Sequence, residues 1–149
     1  LPPIRDANVP SPTATRKPLV NRTRADYRPR MIEIATRRRS QPPPVRAVFD
    51  ALVRPDCDPR RPWLTMHDDE QRPSIVESVE PDRVVWSSIW PWRPEALIRF
   101  DIEDTAQSSA YLRWTLLVDE PAPDDETIVR MCRRLNELIN TNLRSTFGQ

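Results

Sequence analysis

The residues of this sequence that could do chemistry centre on a single histidine. His67 is followed by Asp68, Asp69 and Glu70, and an imidazole with carboxylate oxygens is a donor set that divalent metals accept. Neighbouring loop residues rarely all converge on one ion, and the sequence has no second histidine to help them. The pattern therefore favours a solvated polar loop, and we expect no metal and no cofactor.

The single histidine also argues against nucleophilic catalysis, because a Ser–His or Cys–His pair would need it. Cys57 and Cys132 are too few for a disulfide framework and are interpreted as free thiols in a reducing cytoplasm. Asp101 and Glu103 share one face of a predicted strand, but it is the solvent face. One glycine cannot form a glycine-rich phosphate loop, and we predict no catalytic residues.

Large aromatic side chains are the strongest remaining signal, with five tryptophans in 149 residues. One interpretation is an apolar pocket with few polar groups, which suits a hydrophobic small molecule. Its predicted ligand-binding residues are Trp86, Ser88 as the polar contact, Trp90, Phe100, Trp114, and Leu135 and Ile139 from a closing helix. The alternative is that the same rings fill the core, as aromatic side chains commonly do, and the lack of a polar anchor favours this alternative.

Alternating apolar residues predict the strands that must position these rings. The predicted strands cover residues 32–36, 74–80, 83–90, 96–103 and 110–119. Pro81 and Asp82 form a tight turn, so the second and third strands make a hairpin. The sequence therefore predicts an antiparallel sheet of about five strands.

Two helices complete the predicted fold. A proline run opens a short helix over residues 43–53. A long helix covers residues 126–147, with Asp124 as its N-cap and Gly148 placed to cap its C-terminus. Its apolar residues recur at helical spacing and are Ile128, Cys132, Leu135, Ile139 and Leu143.

Charge divides the chain into two regions, although its net charge is only +1. Residues 1–30 hold six prolines and seven basic residues against two acidic ones, and they have little apolar periodicity. Such a segment cannot bury enough surface to offset the entropy of ordering it. We predict a disordered Pro/Arg-rich extension over 1–30 and one folded domain over 31–149.

A short arginine run at 37–39 could contact phosphates. Residues 31–149 are net acidic, with 16 basic and 20 acidic residues, so nucleic acid is not an expected partner. Arg38 shares the inward parity of Ile32 and Ile34 and could point into the cavity toward a carboxylate. The favoured alternative is that the strand ends there and Arg38 reaches solvent.

The order of these elements resembles a known superfamily. Residues 42–53 look like its helix after the first strand, 84–88 and 96–102 look like its middle strands, and 111–117 with 134–139 look like its last strand and closing helix. The chain is similar to the START-like, polyketide-cyclase-like helix-grip (SRPBCC) superfamily, as a short member with a reduced sheet. The resemblance implies an α+β fold in which a curved antiparallel sheet wraps around the long C-terminal helix.

Three functions follow from this resemblance and the aromatic pattern. The first is binding of a hydrophobic or amphipathic small molecule between the sheet and the C-terminal helix. The second is a protein-interaction or self-association module with a filled core, including a homodimer. The third, with the least support, is a cyclase-like enzyme. No apolar run reaches the roughly 20 residues that span a bilayer, and we expect a cytoplasmic protein.

Overall fold

The computed structural model describes residues 31–56, 60 and 62–147. The predicted extension 1–30, Cys57 and the capping Gly148 lie outside the described residues. The strands are β1 (Met31–Gln41), β2 (Ile75–Val79), β3 (Arg83–Ser87), β4 (Leu97–Asp104) and β5 (Ala110–Asp119). The helices are α1 (Val45–Val53), α2 (Asp125–Asn136), a π-helical segment (Glu137–Leu143) and α3 (Arg144–Thr146).

The strands form one five-stranded sheet in the order β1-β5-β4-β3-β2, and every neighbouring pair is antiparallel. β1 joins the sheet beside β5, the strand most distant in sequence, and the hairpin of β2 and β3 lies at the other end. The predicted α+β fold class, an antiparallel sheet with a C-terminal helix, is confirmed.

β1 is longer than predicted because it continues to Gln41, and a bulge between Glu33 and Ala35 changes its facing. Directly paired residues share a sheet face. Beyond the bulge, Arg37 lies opposite the inward Trp114, whereas Arg38 lies opposite the exposed Arg113. The predicted strand end before Arg38 is wrong. Its exposure is confirmed, and its guanidinium lies 3.8 Å from the ring centre of Tyr111.

The C-terminal helix begins as predicted. The Asp124 carboxylate accepts a hydrogen bond from the Thr127 N–H at 2.8 Å, which satisfies one of the free donors of the first turn. The predicted single helix is interrupted over Glu137–Leu143 by the wider π-helical winding. The buried Gln41 side chain donates to the carbonyl oxygen of Ile139 inside this segment at 3.5 Å, so the segment is joined to the end of β1.

One hydrophobic core lies between the sheet and the helices. Two indoles fix α1 to it, since Trp86 donates to the Leu52 carbonyl at 3.1 Å and Trp63 to the Ala51 carbonyl at 3.3 Å. Carbonyls in the last turn of a helix have no partner within the helix, so both bonds satisfy groups that burial would otherwise leave unpaired. Within the described residues, no helix is long and apolar enough to span a membrane.

Candidate functional site

The aromatic residues predicted to bind a ligand lie mostly in the core. Trp86 and Phe100 are fully buried, and their ring centres are 4.7 Å apart in an edge-to-face arrangement. Trp63, which was not among the predicted ligand-binding residues, stacks on Trp86 with the ring centres 5.9 Å apart. Such aromatic contacts are favourable beyond the area that they bury.

The remaining core members of the predicted set come from β5 and the C-terminal helix. Trp114 is fully buried, and its indole N–H donates to the Asn136 side chain at 3.3 Å. Leu135 and Ile139 are also fully buried and belong to the same hydrophobic cluster. The structure therefore brings these side chains together as the sequence predicted, and that they bind a ligand stays a prediction.

Ser88 and Trp90 lie just beyond β3, which ends at Ser87 and is shorter than predicted. The Ser88 hydroxyl is buried, accepts a hydrogen bond from the Trp90 N–H at 2.9 Å and donates to the Trp90 carbonyl at 3.1 Å. Both hydrogen-bonding roles of Ser88 thus serve to hold the backbone at Trp90. Trp90 lines a surface cleft.

This cleft, of about 300 Å³, lies between α2 and two loops. We call it the helix-side cleft. Residues 67–70 form one wall, the turn after β3 forms another, and α2 with the start of the π-helical segment forms the third. Its lining residues are His67, Asp69, Glu70, Trp90, Trp92, Arg130, Met131, Arg133, Arg134 and Glu137. It is chemically mixed, with apolar rings and both signs of charge.

A buried ion pair between Arg134 and Glu70 holds the 67–70 loop on α2. The Arg134 Nε atom lies 2.8 Å from Glu70 Oε2, its Nη2 atom lies 2.9 Å from Glu70 Oε1, and both side chains are over nine-tenths buried. Arg134 also bonds the Glu137 carboxylate at 3.0 Å and the Thr65 carbonyl at 2.5 Å. Such two-pronged contacts are strong and directional.

The electrostatics of Arg134 follow from this arrangement. Burial by itself lowers the pKa of a guanidinium because it disfavours the charged form. Here the hydrogen bonds and charge of Glu70, and then those of Glu137, outweigh burial and raise the pKa of Arg134. Arg134 is therefore a permanent cation whose charge is balanced by two carboxylates of the protein itself.

The rim of the cleft is different. Trp92 is 41% exposed, its ring centre is 6.1 Å from that of Trp90, and the guanidinium of Arg130 lies 5.3 Å from the Trp92 ring centre. A cation at this distance is attracted to the face of an indole. Trp92 and Arg130 thus form an aromatic and cationic edge that is open to solvent.

The loop also gathers the polar residues that the sequence singled out. One donor atom from each of His67, Asp69 and Glu70 lies within 4.8 Å of the others, so these neighbours converge more than expected. Both Glu70 carboxylate oxygens already accept hydrogen bonds from Arg134, and Glu70 Oε1 also accepts from the His67 N–H. The carboxylate that a cation would need is occupied within the protein.

A second, more open cleft of about 360 Å³ lies at the other end of the C-terminal helix. Its lining is largely uncharged and consists of Pro62, Trp63, Thr65, Thr141, Asn142, Ser145 and Thr146. Trp63 is buried there and its N–H is bonded to Ala51, so this cleft does not offer an exposed aromatic ring.

Sequence reasoning missed the cleft-facing side of α2. Its stripe of predicted core residues included Cys132, which is only half-buried and whose pKa is raised by burial, and it left out Met131 and Leu138, which are fully buried. The signal was present: residues 130, 133, 134 and 137 have the helical spacing of one face. Their charges made this face look like ordinary solvated surface.

Comparison with known proteins shows the fold. No family model and no curated protein matches the sequence. Among solved structures, CalU16 from Micromonospora echinospora is similar with a TM-score of 0.59 and 14% sequence identity, over 76% of this chain and 73% of that one. The Aha1 dimer from Colwellia psychrerythraea has a TM-score of 0.55 and 14% identity, over 76% of this chain and 93% of that one. The similarity is one of helix-grip architecture.

Proposed function

We propose that this protein binds a hydrophobic or amphipathic small molecule and that the helix-side cleft is the binding site. The observation that supports the proposal is the contrast in exposure between neighbouring tryptophans. Trp90 is buried at the inner end of the cleft, and Trp92 is 41% exposed at its rim. A large indole left in solvent beside an open cleft gives an apolar ligand a flat surface to cover.

The size and lining of the cleft fit this role. About 300 Å³ is at the lower end of the range for small-molecule sites, so a ligand of two or three rings would fill it. Trp92 supplies exposed apolar surface with Trp90 and Met131 buried behind it, and Arg130 and Asp69 supply polar groups at the edge. The lining combines three apolar side chains with seven polar or charged ones, and this mixture suits an amphipathic ligand.

The residues first predicted to bind a ligand have an indirect place in this proposal. Trp86, Phe100 and Trp114, with Leu135 and Ile139, belong to the same cluster as Trp90 and give it rigid support. The proposal also keeps membership of the START-like superfamily, which is supported by the helix-grip architecture of the similar solved structures. In this proposal a ligand lies beside the helix, with the sheet–helix core behind it.

Binding of the neutral fluorescent probe phenylnaphthylamine tests the proposal. We expect it to bind the full chain and to shift the indole N–H signal of Trp92 in an NMR spectrum, assigned with Trp92→Phe. Trp92→Ala should weaken binding about three- to tenfold, the effect of losing one good aromatic contact.

Ile75→Ala is the matched control, because Ile75 on β2 is also 41% exposed but does not line the cleft. Its affinity for the probe should equal that of the unaltered protein. The proposal is wrong if the probe does not bind, or if it binds equally well after Trp92→Ala and leaves the Trp92 signal in place.

Self-association is the second candidate, and one observation favours it. β2 is an edge strand, and its Ile75 and Val79 are 41% and 47% exposed. Exposed apolar side chains on an edge strand invite pairing with another chain. A dimer through this edge should appear in light scattering as a mass that rises with concentration, and Val79→Lys should abolish it. A monomer at all concentrations would exclude this candidate.

A further inference from the structure

We infer that the ligand of the helix-side cleft carries an anionic group, which Arg130 and Arg133 bind while its flat apolar part lies against Trp92. This inference rests on the proposed function and specifies the ligand class for the same cleft. Three observations support it: the spacing of the arginines on α2, the pairing of the acidic residues in the cleft, and the position of Arg130 on Trp92.

The first observation is the placement of three cations on one helical face. Arg130, Arg133 and Arg134 all line the cleft, and residues three or four apart on a helix are surface neighbours. Like charges at this spacing repel each other. Glu70 and Glu137 already balance the charge of Arg134, so the repulsion that a bound anion would relieve is the one between Arg130 and Arg133.

The second observation is that most of the acidic groups are already used. The Glu70 carboxylate is bound by Arg134 through both oxygens, and the Glu137 carboxylate is bound by the same guanidinium at 3.0 Å. Glu137 follows Arg133 by four residues and could have paired with it, yet it pairs with Arg134. Of the carboxylates that line the cleft, only Asp69 then remains to balance the other two arginines.

Among the described residues, Arg133 is the cleft arginine that this leaves without a partner. Within the described part of the chain, Arg133 makes no ion pair within 4.0 Å and no side-chain hydrogen bond. It is exposed on α2 at the cleft. A guanidinium presents planar paired donors that match a carboxylate, sulfonate or phosphate oxygen pair.

The third observation ties the charge to the aromatic surface. The Arg130 guanidinium lies over the Trp92 ring, 5.3 Å from its centre, so a cation is held against the aromatic side chain that a ligand would contact. A molecule with an acidic group attached directly to a ring system could contact Trp92 and one arginine together. A neutral molecule of the same shape would leave the cationic charge uncompensated.

Two probes with the same ring system separate this inference from the proposed function. Anilinonaphthalene sulfonate carries an anionic group, and phenylnaphthylamine is its neutral counterpart. We expect the full chain to bind the sulfonate about tenfold more tightly, since two exposed charge contacts of this kind together contribute on that order. Added salt should reduce this preference, because exposed charge pairs are screened.

The decisive variant is the double substitution Arg130→Gln and Arg133→Gln, which keeps polar side chains on α2. It should reduce the ratio of the two affinities from about tenfold to about one. Arg39→Gln is the control, because Arg39 is an exposed arginine on β1 outside the cleft, and it should leave the ratio unchanged.

Each outcome has one meaning. Binding of both probes with equal affinity, or a preference that survives the double substitution, overturns the inference and leaves the proposed function standing. Failure of both probes to bind overturns both. Competition by inorganic phosphate should be weak, and that by naphthoate strong; strong displacement by phosphate alone would show a simple anion site and would also overturn the inference.

Discussion

The two sides of the C-terminal helix differ in the chemistry of their side chains. The side toward the sheet is lined by Leu135, Leu138 and Ile139, all fully buried in the hydrophobic core. The side toward the 67–70 loop presents Arg130, Arg133 and Glu137 to a cleft. Apolar side chains can be packed to solid density, whereas charged ones must keep contact with water or with a partner.

This difference explains why the ligand site is proposed beside the helix. Aromatic rings that pack against each other in the core leave no apolar surface in water, as in the 4.7 Å contact of Trp86 with Phe100. On the other side, the Arg134–Glu70 pair holds a loop close to α2 but does not fill the space above it. A filled region supports a fold, and an incompletely filled one leaves room for a ligand.

The largest expected effect tests whether the sheet side is filled. Phe100→Ala should lower the free energy of unfolding by about 3–5 kcal/mol, because it removes a fully buried ring and leaves a cavity. Urea unfolding followed by circular dichroism measures it, and Ile75→Ala on the exposed edge should cost less than about 1 kcal/mol. A loss below about 1 kcal/mol for Phe100→Ala would mean a loosely filled core and would support a ligand cavity there.

A slightly smaller effect tests the loop side. Arg134→Ala should lower the free energy of unfolding by about 3 kcal/mol, because it leaves the Glu70 carboxylate buried without its partner. Arg130→Ala, one turn earlier on the same face, should change it by less than about 0.5 kcal/mol. Equal effects of the two substitutions in thermal or urea unfolding would contradict the prediction that the buried pair with Glu70 makes Arg134 contribute more to stability than Arg130.

The smallest effect concerns the start of the helix that separates the two regions. The hydrogen bond from Thr127 lowers the pKa of the Asp124 carboxyl below its ordinary value. A lowered folded-state pKa stabilises the protein above the unfolded-state pKa, and this contribution is lost as the pH falls through the folded-state pKa.

Asp124→Asn isolates this contribution, since asparagine also caps helices but does not titrate. The unaltered protein should lose more stability on acidification than the variant, by a small margin because the carboxyl is fully exposed. Urea unfolding at neutral and acidic pH measures the margin. Parallel pH profiles for the two proteins would contradict the prediction.

Sequence patterns were sufficient for most of the fold. Alternation of apolar residues identified all five strands, and β5 was predicted with the ends that the structure has. Helical spacing and the Asp124 cap located the start of α2 to within one residue. The alternation of inward and outward side chains was predicted wrongly for the second half of β1, because a bulge at Glu33–Ala35 reverses the facing of every later residue. The bulge shows in the pairing of β1 with β5, and the alternation of apolar residues did not locate it.

The amino-acid sequence by itself determined the α+β class, the strand and helix order and the aromatic content of the core, because periodic burial of apolar side chains depends on local spacing. Only the tertiary structure decided which space stays open. Glu70 and Arg134 are 64 residues apart in sequence and meet at 2.8 Å, and their contact defines the cleft. Such a pairing depends on how distant segments pack, and no local pattern encodes it.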